Sequence, residues 1–343
     1  MMRKAFVIGL LIVLVVGGMV IGRTQEVMAK TIELKLAHFM SPMHVQHRKS
    51  FVPFAEKVEK LTGGQVKIKI FPGGALGGPK QLPDAVKAGI TDMAFIIPSY
   101  TTGRFPRMAV LDLPFMVESA THATKVIYDL FDKYLAEDFK DYKVLWFYSC
   151  GAGQLHSATK PIRKVSDLKD MKMRAPSAYM SKALKLMGST SVGMPISELT
   201  ISLQKGVIDG MLTPFSAIPD FRLWDLVKYV THVNMYVSPM AVVMNKEKFN
   251  SLPAEARKAI DEASGRQWGL HAAQVYDQED QEVVDKIKQG SKIKLIELSD
   301  GEKQAFVKHL AVMKTDWVKE MAKKGLPGKE LLDAAHASAE RNK

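Results

Sequence analysis

The chain has 343 residues, of which 47% are apolar, and a formal net charge of +12 at pH 7. That length exceeds what one small core usually organises and favours two lobes of about 150 residues each. The basic excess raises nucleic acid as a partner. However, lysines and arginines are interleaved with acidic residues and never form a run of five, so the charge favours attraction of anionic solutes, or simply solubility, over nucleic acid binding.

A secretory signal peptide is predicted at residues 1–29. Two basic residues follow the initial methionines, residues 5–22 carry no charge and are mostly apolar, and Val27 and Ala29 fit a signal-peptidase site with cleavage after Ala29. An uncleaved membrane anchor is the alternative, because the apolar run is close to the roughly 18 residues that can span a bilayer. Cleavage would release a secreted mature protein, and because no cysteine lies near the junction, a lipid anchor is not expected.

Strand-like and helix-like patterns alternate along the chain. Alternation of apolar and polar side chains predicts strands, whereas apolar residues at helical spacing predict helices. In chain order we expect a strand at 32–37, a helix at 51–61, a strand at 65–71, a helix ending at Lys87 and a strand at 94–97. This order, with short connections, indicates an α/β fold.

One helix-to-strand turn occurs twice. Gly89 and Gly206 each stand just past a predicted helix, where a left-handed C-cap favours a residue without Cβ. Asp92 and Asp209 follow at the same offset, ahead of a short apolar strand. Two matched units of this kind predict two similar lobes.

Residues 253–289 carry apolar residues at roughly helical spacing. A continuous helix of that length would span about 55 Å, enough to pack across both lobes as a brace. The alternative is two shorter helices broken at Gly265.

Three patterns resemble functional sites but lack essential parts. His38, His44 and His47 are close together in the sequence, but no HExxH motif and no nearby set of cysteines or aspartates completes a metal site. No metal and no cofactor are therefore expected. Residues 73–80 mimic a phosphate-binding loop, but Pro79 removes a backbone donor that such a loop needs. The single cysteine, Cys150, follows an apolar run and is expected to be buried and unreactive.

Arg174 is the strongest candidate for a ligand contact. Residues 171–174 read as a strand that ends before Pro176, directly ahead of a helix at 177–187. Ligands of open α/β sheets bind at the carboxyl ends of strands, and a helix N-terminus attracts anions. The planar guanidinium fits a carboxylate better than a lysine does.

An ordered set of motifs resembles the DctP-type solute-binding proteins of TRAP (tripartite ATP-independent periplasmic) transporters. The resemblance covers essentially the whole mature chain. Its motifs are Arg104-Phe-Pro, Leu113-Pro-Phe, the segment from Lys160 to Pro176, Met194-Pro-Ile-Ser-Glu-Leu, Leu203-Gln-x-Gly-Val-x-Asp-Gly and Leu252-Pro.

The resemblance implies a two-lobed periplasmic-binding-protein fold, type II-like, with discontinuous lobes and a long helix bracing both. On this basis lobe I comprises 30–149 and 240–275, lobe II comprises 150–239 and 276–335, and 336–343 form a C-terminal tail. It also implies a non-enzymatic receptor that delivers a small organic acid to TRAP membrane permease subunits driven by an ion gradient. A periplasmic sensor subunit and a periplasmic hydrolase are the alternatives, although no nucleophile motif supports the latter.

Arg174 matches the carboxylate-binding arginine of that family, and two departures bear on the ligand. Thr213 stands where members that bind sialic acid or dicarboxylates often carry asparagine, and residues 151–157 lack a second arginine that they often have. These departures favour a monocarboxylate with an apolar or aromatic body over a dicarboxylate. The remaining predicted pocket residues are Gln154, Thr213, Phe215 and Tyr100.

Overall fold

The computed structural model describes residues 31–343, so the predicted signal peptide lies outside the described residues. Helices that are long and apolar enough to cross a membrane do not occur in this part of the chain.

The strands predicted at 32–37, 65–71, 94–97 and 171–174 are present, with ends shifted by at most one residue, and the structure adds others. Together the strands are β1 (Ile32–Ala37), β2 (Val66–Phe71), β3 (Met93–Ile96), β4 (Tyr142–Ser149), β5 (Gln154–Ser157), β6 (Lys172–Ala175), β7 (Thr190–Gly193), β8 (Gly210–Thr213), β9 (Tyr229–His232), β10 (Pro239–Asn245) and β11 (Lys294–Glu297).

These strands form two sheets, which confirms the two-lobed α/β fold. The first has the order β2-β1-β3-β10-β4, and the second has the order β11-β9-β5-β8-β6-β7. In each sheet one strand reverses the parallel arrangement: β10 is antiparallel to β3 and β4, and β5 is antiparallel to β8 and β9. Because β10 returns to the first sheet after β9, the chain crosses between the lobes more than once.

Helices cover both sheets. They are α1 (Val52–Leu61), α2 (Leu82–Lys87), α3 (Ala120–Leu130), α4 (Ala178–Leu186), α5 (Leu199–Gln204), α6 (Ala217–Asp220), α7 (Lys246–Ser251), α8 (Ala254–Ala263), α9 (Gly265–Lys288), α10 (Asp300–Leu310), α11 (Val312–Lys323) and α12 (Gly328–Arg341). Short 3₁₀ turns at Pro98–Tyr100 and Met108–Asp112 follow β3 in the first lobe.

The predicted continuous helix over 253–289 is two helices, as in the alternative. Ser264 has extended backbone angles and Gly265 has φ +77°, a conformation that strains any residue with a Cβ, so α8 ends and α9 begins there. The second helix alone still braces both lobes. Its Ala272 belongs to the core of the first lobe, whereas its Ile287 packs in the second.

The C-terminal segment differs from the expected lobe boundaries. Residues expected to form a tail are the end of α12, and the apolar face of this helix, including Leu331 and Ala339, joins the core of the first lobe. The preceding α11 is shared, because Met313 packs in the second lobe and Trp317 in the first. No local pattern separates these cases, since an amphipathic helix does not specify which sheet it will cover.

Candidate functional site

A cavity with an empty volume of about 470 Å³, including the part open to solvent, lies between the two lobes. Its walls come from both sheets and from α9, and most side chains in them are apolar or aromatic. The aromatic members are Phe39, Phe95, Tyr100, Phe221, Tyr236 and Tyr276.

Arg174 enters the cavity from the carboxyl end of β6, as the strand pattern predicts, and its side chain is 1% exposed. Its Nε donates to Met194 O at 3.0 Å and its Nη1 to Leu212 O at 2.9 Å. Its Nη2 donates to Tyr100 Oη at 3.2 Å. Within residues 31–343 these partners are two carbonyls and a phenol, with no carboxylate among them.

The guanidinium is therefore a buried positive charge that is held in place but not neutralised. A guanidinium has five N–H donors, and three of those of Arg174 are used within the protein. Burying a charge without a counter-charge is costly, so a site of this kind favours an anionic occupant. The two carbonyl contacts fix the plane of the fork, which prepares it for a planar acceptor such as a carboxylate.

Tyr100 belongs to the first lobe and completes the polar end of the cavity. Its Oη accepts hydrogen bonds from Arg174 Nη2 and, at 3.1 Å, from Ile196 N. Burial raises the pKa of Tyr100, and the Arg174 charge offsets this rise only in part, so the phenol keeps its proton. Because both contacts are accepted, that proton is available for donation to a ligand.

Thr213, at the end of β8, also lines the cavity, and its hydroxyl has no hydrogen-bond partner within residues 31–343. It directly follows Leu212, whose carbonyl holds Arg174. The structure thus brings three of the five predicted pocket residues together: Arg174, Tyr100 and Thr213.

The other two predicted pocket residues lie outside the cavity wall. Gln154 is buried, and its side chain holds the segment after β9 through hydrogen bonds to Val233 N at 2.8 Å and to Asn234 N at 3.0 Å. Phe215 packs in the core of the second lobe against the rings of His156 and His232. Phe215 is adjacent in sequence to the cavity residues Pro214 and Ser216, but its side chain points into the lobe.

The loop at residues 151–157, which lacks a second arginine, contributes to the cavity through close packing and not through a charged side chain. Adding a Cβ at Gly153 would place it inside the ring of Tyr236, and Gly153 N donates to Tyr236 O at 2.7 Å. The absence of a side chain at Gly153 lets this ring reach the cavity wall, where its Oη donates to Leu212 O at 3.2 Å. An aromatic wall therefore forms beside Arg174.

Two residues of the cavity wall were not predicted as such by the sequence analysis. His44 was considered only as a metal ligand, and Asp220 was not considered at all, yet His44 Nε2 lies 3.1 Å from Asp220 Oδ2 in the cavity wall. The nearby His38 and His47 instead contact each other, with 2.8 Å between Nε2 and Nδ1. Within residues 31–343, no group of three potential metal ligands forms. No local signal links His44 with a residue so distant in sequence.

Two α/β lobes that enclose a cavity with one uncompensated cation define the class of two-lobed solute-binding receptors. The family model for bacterial extracellular solute-binding proteins of family 7, DctP, matches residues 36–324. The chain therefore belongs to the DctP family, as its motifs predict, and it is a solute-binding receptor of the kind that serves TRAP transporters.

Solved structures support the same assignment. A TRAP solute-binding protein from Rhodoferax ferrireducens, in complex with copurified benzoate, is 31% identical with a TM-score of 0.87, covering 91% of this chain and 98% of that one. A marine metagenome TRAP solute-binding protein specific for aromatic acids, in complex with 3-hydroxybenzoate, is 33% identical with a TM-score of 0.87, covering 91% and 99%. The 2,3-diketo-L-gulonate-binding periplasmic protein YiaO of Escherichia coli is 27% identical over 82% of this chain and 84% of YiaO.

Proposed function

We propose that this chain is a periplasmic receptor for aromatic monocarboxylates, which it encloses between its lobes and delivers to a TRAP membrane permease. The observation that carries the proposal is the buried, uncompensated guanidinium of Arg174 in a cavity with aromatic walls. The ligand carboxylate would accept hydrogen bonds from Arg174 and from the phenol of Tyr100, with Thr213 as a third donor. Binding involves no covalent chemistry.

A single carboxylate is favoured by the charges around the cavity. Among the described residues that line it, Arg174 is the only arginine or lysine. Burial and neighbouring cationic groups lower the pKa of the lining His44 to about 3, so this histidine is neutral at physiological pH. A second ligand carboxylate would therefore have no cation to pair with, and it would be repelled by ionised Asp220.

An aromatic body is favoured by the walls. Phe39 packs against Phe95 with ring centroids 5.4 Å apart, and Tyr276 stacks on Tyr148 at 6.2 Å, so flat rings form much of the enclosing surface. Aromatic rings gain additional stabilisation from offset or edge-on contacts with other rings. The two solved relatives described above contain benzoate and 3-hydroxybenzoate. Each of these ligands is a flat aromatic ring with a single carboxylate, the type of ligand proposed for this chain.

Export and delivery complete the proposal. The predicted signal peptide would place the mature chain in the periplasm, and the family operates with TRAP permeases. Closure of the lobes on the ligand would present a distinct surface to the permease subunits, because residues from both lobes move relative to each other when the cavity opens. A sensor that binds the same ligand would use the same cavity, so delivery needs its own test.

The ligand class is tested by a binding panel on the purified mature chain. Isothermal titration calorimetry would compare benzoate with cyclohexanecarboxylate, which keeps the carboxylate and loses the aromatic ring, and with succinate, which adds a second carboxylate. We expect benzoate to bind tightest and succinate weakest. Tighter binding of succinate than of benzoate would refute the proposed ligand class. Delivery is tested by uptake of labelled benzoate into proteoliposomes containing the cognate permease, with and without this protein.

A further inference from the structure

The cavity has a second polar end, which has no hydrogen-bond partner in common with Arg174. It consists of His44, which follows β1 in the first lobe, and Asp220, which ends α6 in the second. The imidazole Nε2 and the carboxylate Oδ2 are 3.1 Å apart, and the two side chains are 3% and 5% exposed. Asp220 Oδ1 also accepts a hydrogen bond from Val45 N at 3.0 Å. This pair is therefore buried and links the lobes.

The hydrogen bonds of this pair leave one carboxylate oxygen without a well-aligned donor. Gln46 N donates to His44 Nδ1 at 3.2 Å, which places the proton of the neutral imidazole on Nε2. Asp220 Oδ2 nevertheless lacks an aligned hydrogen bond within residues 31–343, although His44 is at contact distance. Leaving a buried acceptor unsatisfied is costly, so a donor on the ligand would find a site here.

Aromatic rings connect the two polar ends. Phe39 lies between Phe95 and Tyr100, with centroids 5.4 Å and 6.3 Å away, beside the Arg174 end. At the other end, the rings of Phe221 and Tyr276 meet His44 edge-on at 5.7 Å and 6.2 Å. The cavity thus presents a cation, aromatic walls and a hydrogen-bond acceptor. A ligand that matches these groups has a carboxylate, a ring and a donor group on the ring.

We infer that Asp220, positioned by His44, accepts a hydrogen bond from a ring hydroxyl of the ligand and so makes the receptor selective for hydroxylated aromatic acids. This inference rests on the proposed function, because it requires the carboxylate to occupy the Arg174 end. An amino substituent would supply the same donor, but a methoxy substituent would not. His44 acts here as a positioning residue, since its contact is with Asp220.

The test measures the ratio of the affinities for a hydroxybenzoate and for benzoate. A substitution that impairs lobe closure weakens the binding of both ligands alike, so this common effect cancels in the ratio. Calorimetry at pH 8, above the pKa of about 7 to which burial raises Asp220, would compare benzoate with 3-hydroxybenzoate, 4-hydroxybenzoate and 3-methoxybenzoate. We expect at least one hydroxybenzoate to bind roughly ten- to hundredfold tighter than benzoate, as a hydrogen bond to a charged acceptor allows. The methoxy analogue should show no such gain.

Substitutions then assign the preference to this pair. Asp220→Asn and Asp220→Ala should each reduce the hydroxybenzoate-to-benzoate ratio at least fivefold while benzoate binding persists, and His44→Gln should reduce it partially. Asp280→Asn is a matched control, because it alters another buried carboxyl that accepts from a backbone N–H but does not line the cavity. Its ratio should equal that of the unsubstituted protein.

The outcomes separate the inference from the proposed function. If benzoate binds but hydroxylation brings no gain, or if the gain survives both Asp220 substitutions, the inference is wrong and the proposed function stands. If none of the aromatic acids binds, the proposed function fails, and the inference fails with it.

Discussion

Tyr100 Oη lies 3.2 Å from Arg174 Nη2, and this hydrogen bond joins the two lobes at the polar end of the cavity. The same oxygen accepts from Ile196 N, so one phenol receives two donors from the second lobe and keeps its own proton free. We propose that the residue that orients the cation also contacts the ligand, so that ligand binding and lobe closure would depend on the same group.

Removing that phenol should weaken binding without preventing folding. We expect Tyr100→Phe to reduce benzoate affinity roughly tenfold, because a hydrogen bond to a charged acceptor is lost. Calorimetry measures this effect. Tyr142→Phe is the matched control, since that phenol also accepts from an arginine, Arg104, but lies outside the cavity wall. Equal losses in the two variants would show that Tyr100 acts through general stability.

Replacing the cation should have a larger effect. Arg174→Ala is expected to weaken benzoate binding by thirtyfold to several thousandfold, since removing one partner of a buried charged pair costs about 2–5 kcal/mol. Arg174→Lys should recover only part of the loss, because an ammonium group cannot form the bidentate contact. The exposed Arg163 provides the control, and Arg163→Ala should bind normally. Near-unchanged affinity in Arg174→Ala would remove this residue from the site.

The cavity wall near Tyr236 should tolerate no added volume. Gly153→Ala would force the Tyr236 ring away from the position it occupies beside Gly153. We expect loss of about 1–3 kcal/mol of unfolding free energy from overpacking, together with at least tenfold weaker benzoate binding. Gly193→Ala, in β7, adds the same methyl group where no neighbouring atom is within reach. If both variants bind benzoate equally well, the close packing of Tyr236 does not matter for the ligand.

Stability should depend on pH through Asp112, a buried carboxyl in the first lobe. Its Oδ1 has no hydrogen-bond partner within residues 31–343, and burial raises its pKa from 3.8 to about 8. Because the folded-state pKa lies above the unfolded value, its contribution is fully present below about pH 3.8 and is lost as the pH rises towards 8.

Asp112→Asn removes that dependence. Relative to the unsubstituted protein, the variant should gain up to about 1.4 kcal/mol of unfolding free energy per pH unit between pH 5 and 8, and nothing further above. Urea denaturation of both proteins at each pH measures the difference, in which other titrating groups cancel. A difference that stays constant with pH would mean that Asp112 is not protonated in the folded state.

The sequence predicted most of the features that depend on local pattern. Alternation located β1 and β2, and the strand-proline-helix order placed Arg174 at the carboxyl end of β6. Features that depend on tertiary packing could not be predicted in this way. Gln154 and Phe215 follow or begin segments near the cavity, but strand pleating and local hydrogen bonds turn their side chains into the lobe.

The His44–Asp220 pair shows the same limit more clearly. These residues lie in different lobes and far apart in sequence, so no spacing rule connects them. The lobe to which α12 belongs could not be predicted from the sequence either. Its apolar face could cover either sheet, and only the tertiary structure determines that it packs on the first lobe.

The central claim is that Arg174 neutralises the carboxylate of an aromatic acid, and a crystal structure of the complex with benzoate tests it most directly. We expect both carboxylate oxygens within about 3.2 Å of the Arg174 guanidinium, one of them also near Tyr100 Oη, with the ring between the aromatic walls. Benzoate bound with its carboxylate away from Arg174, or bound outside the cavity, would contradict the account.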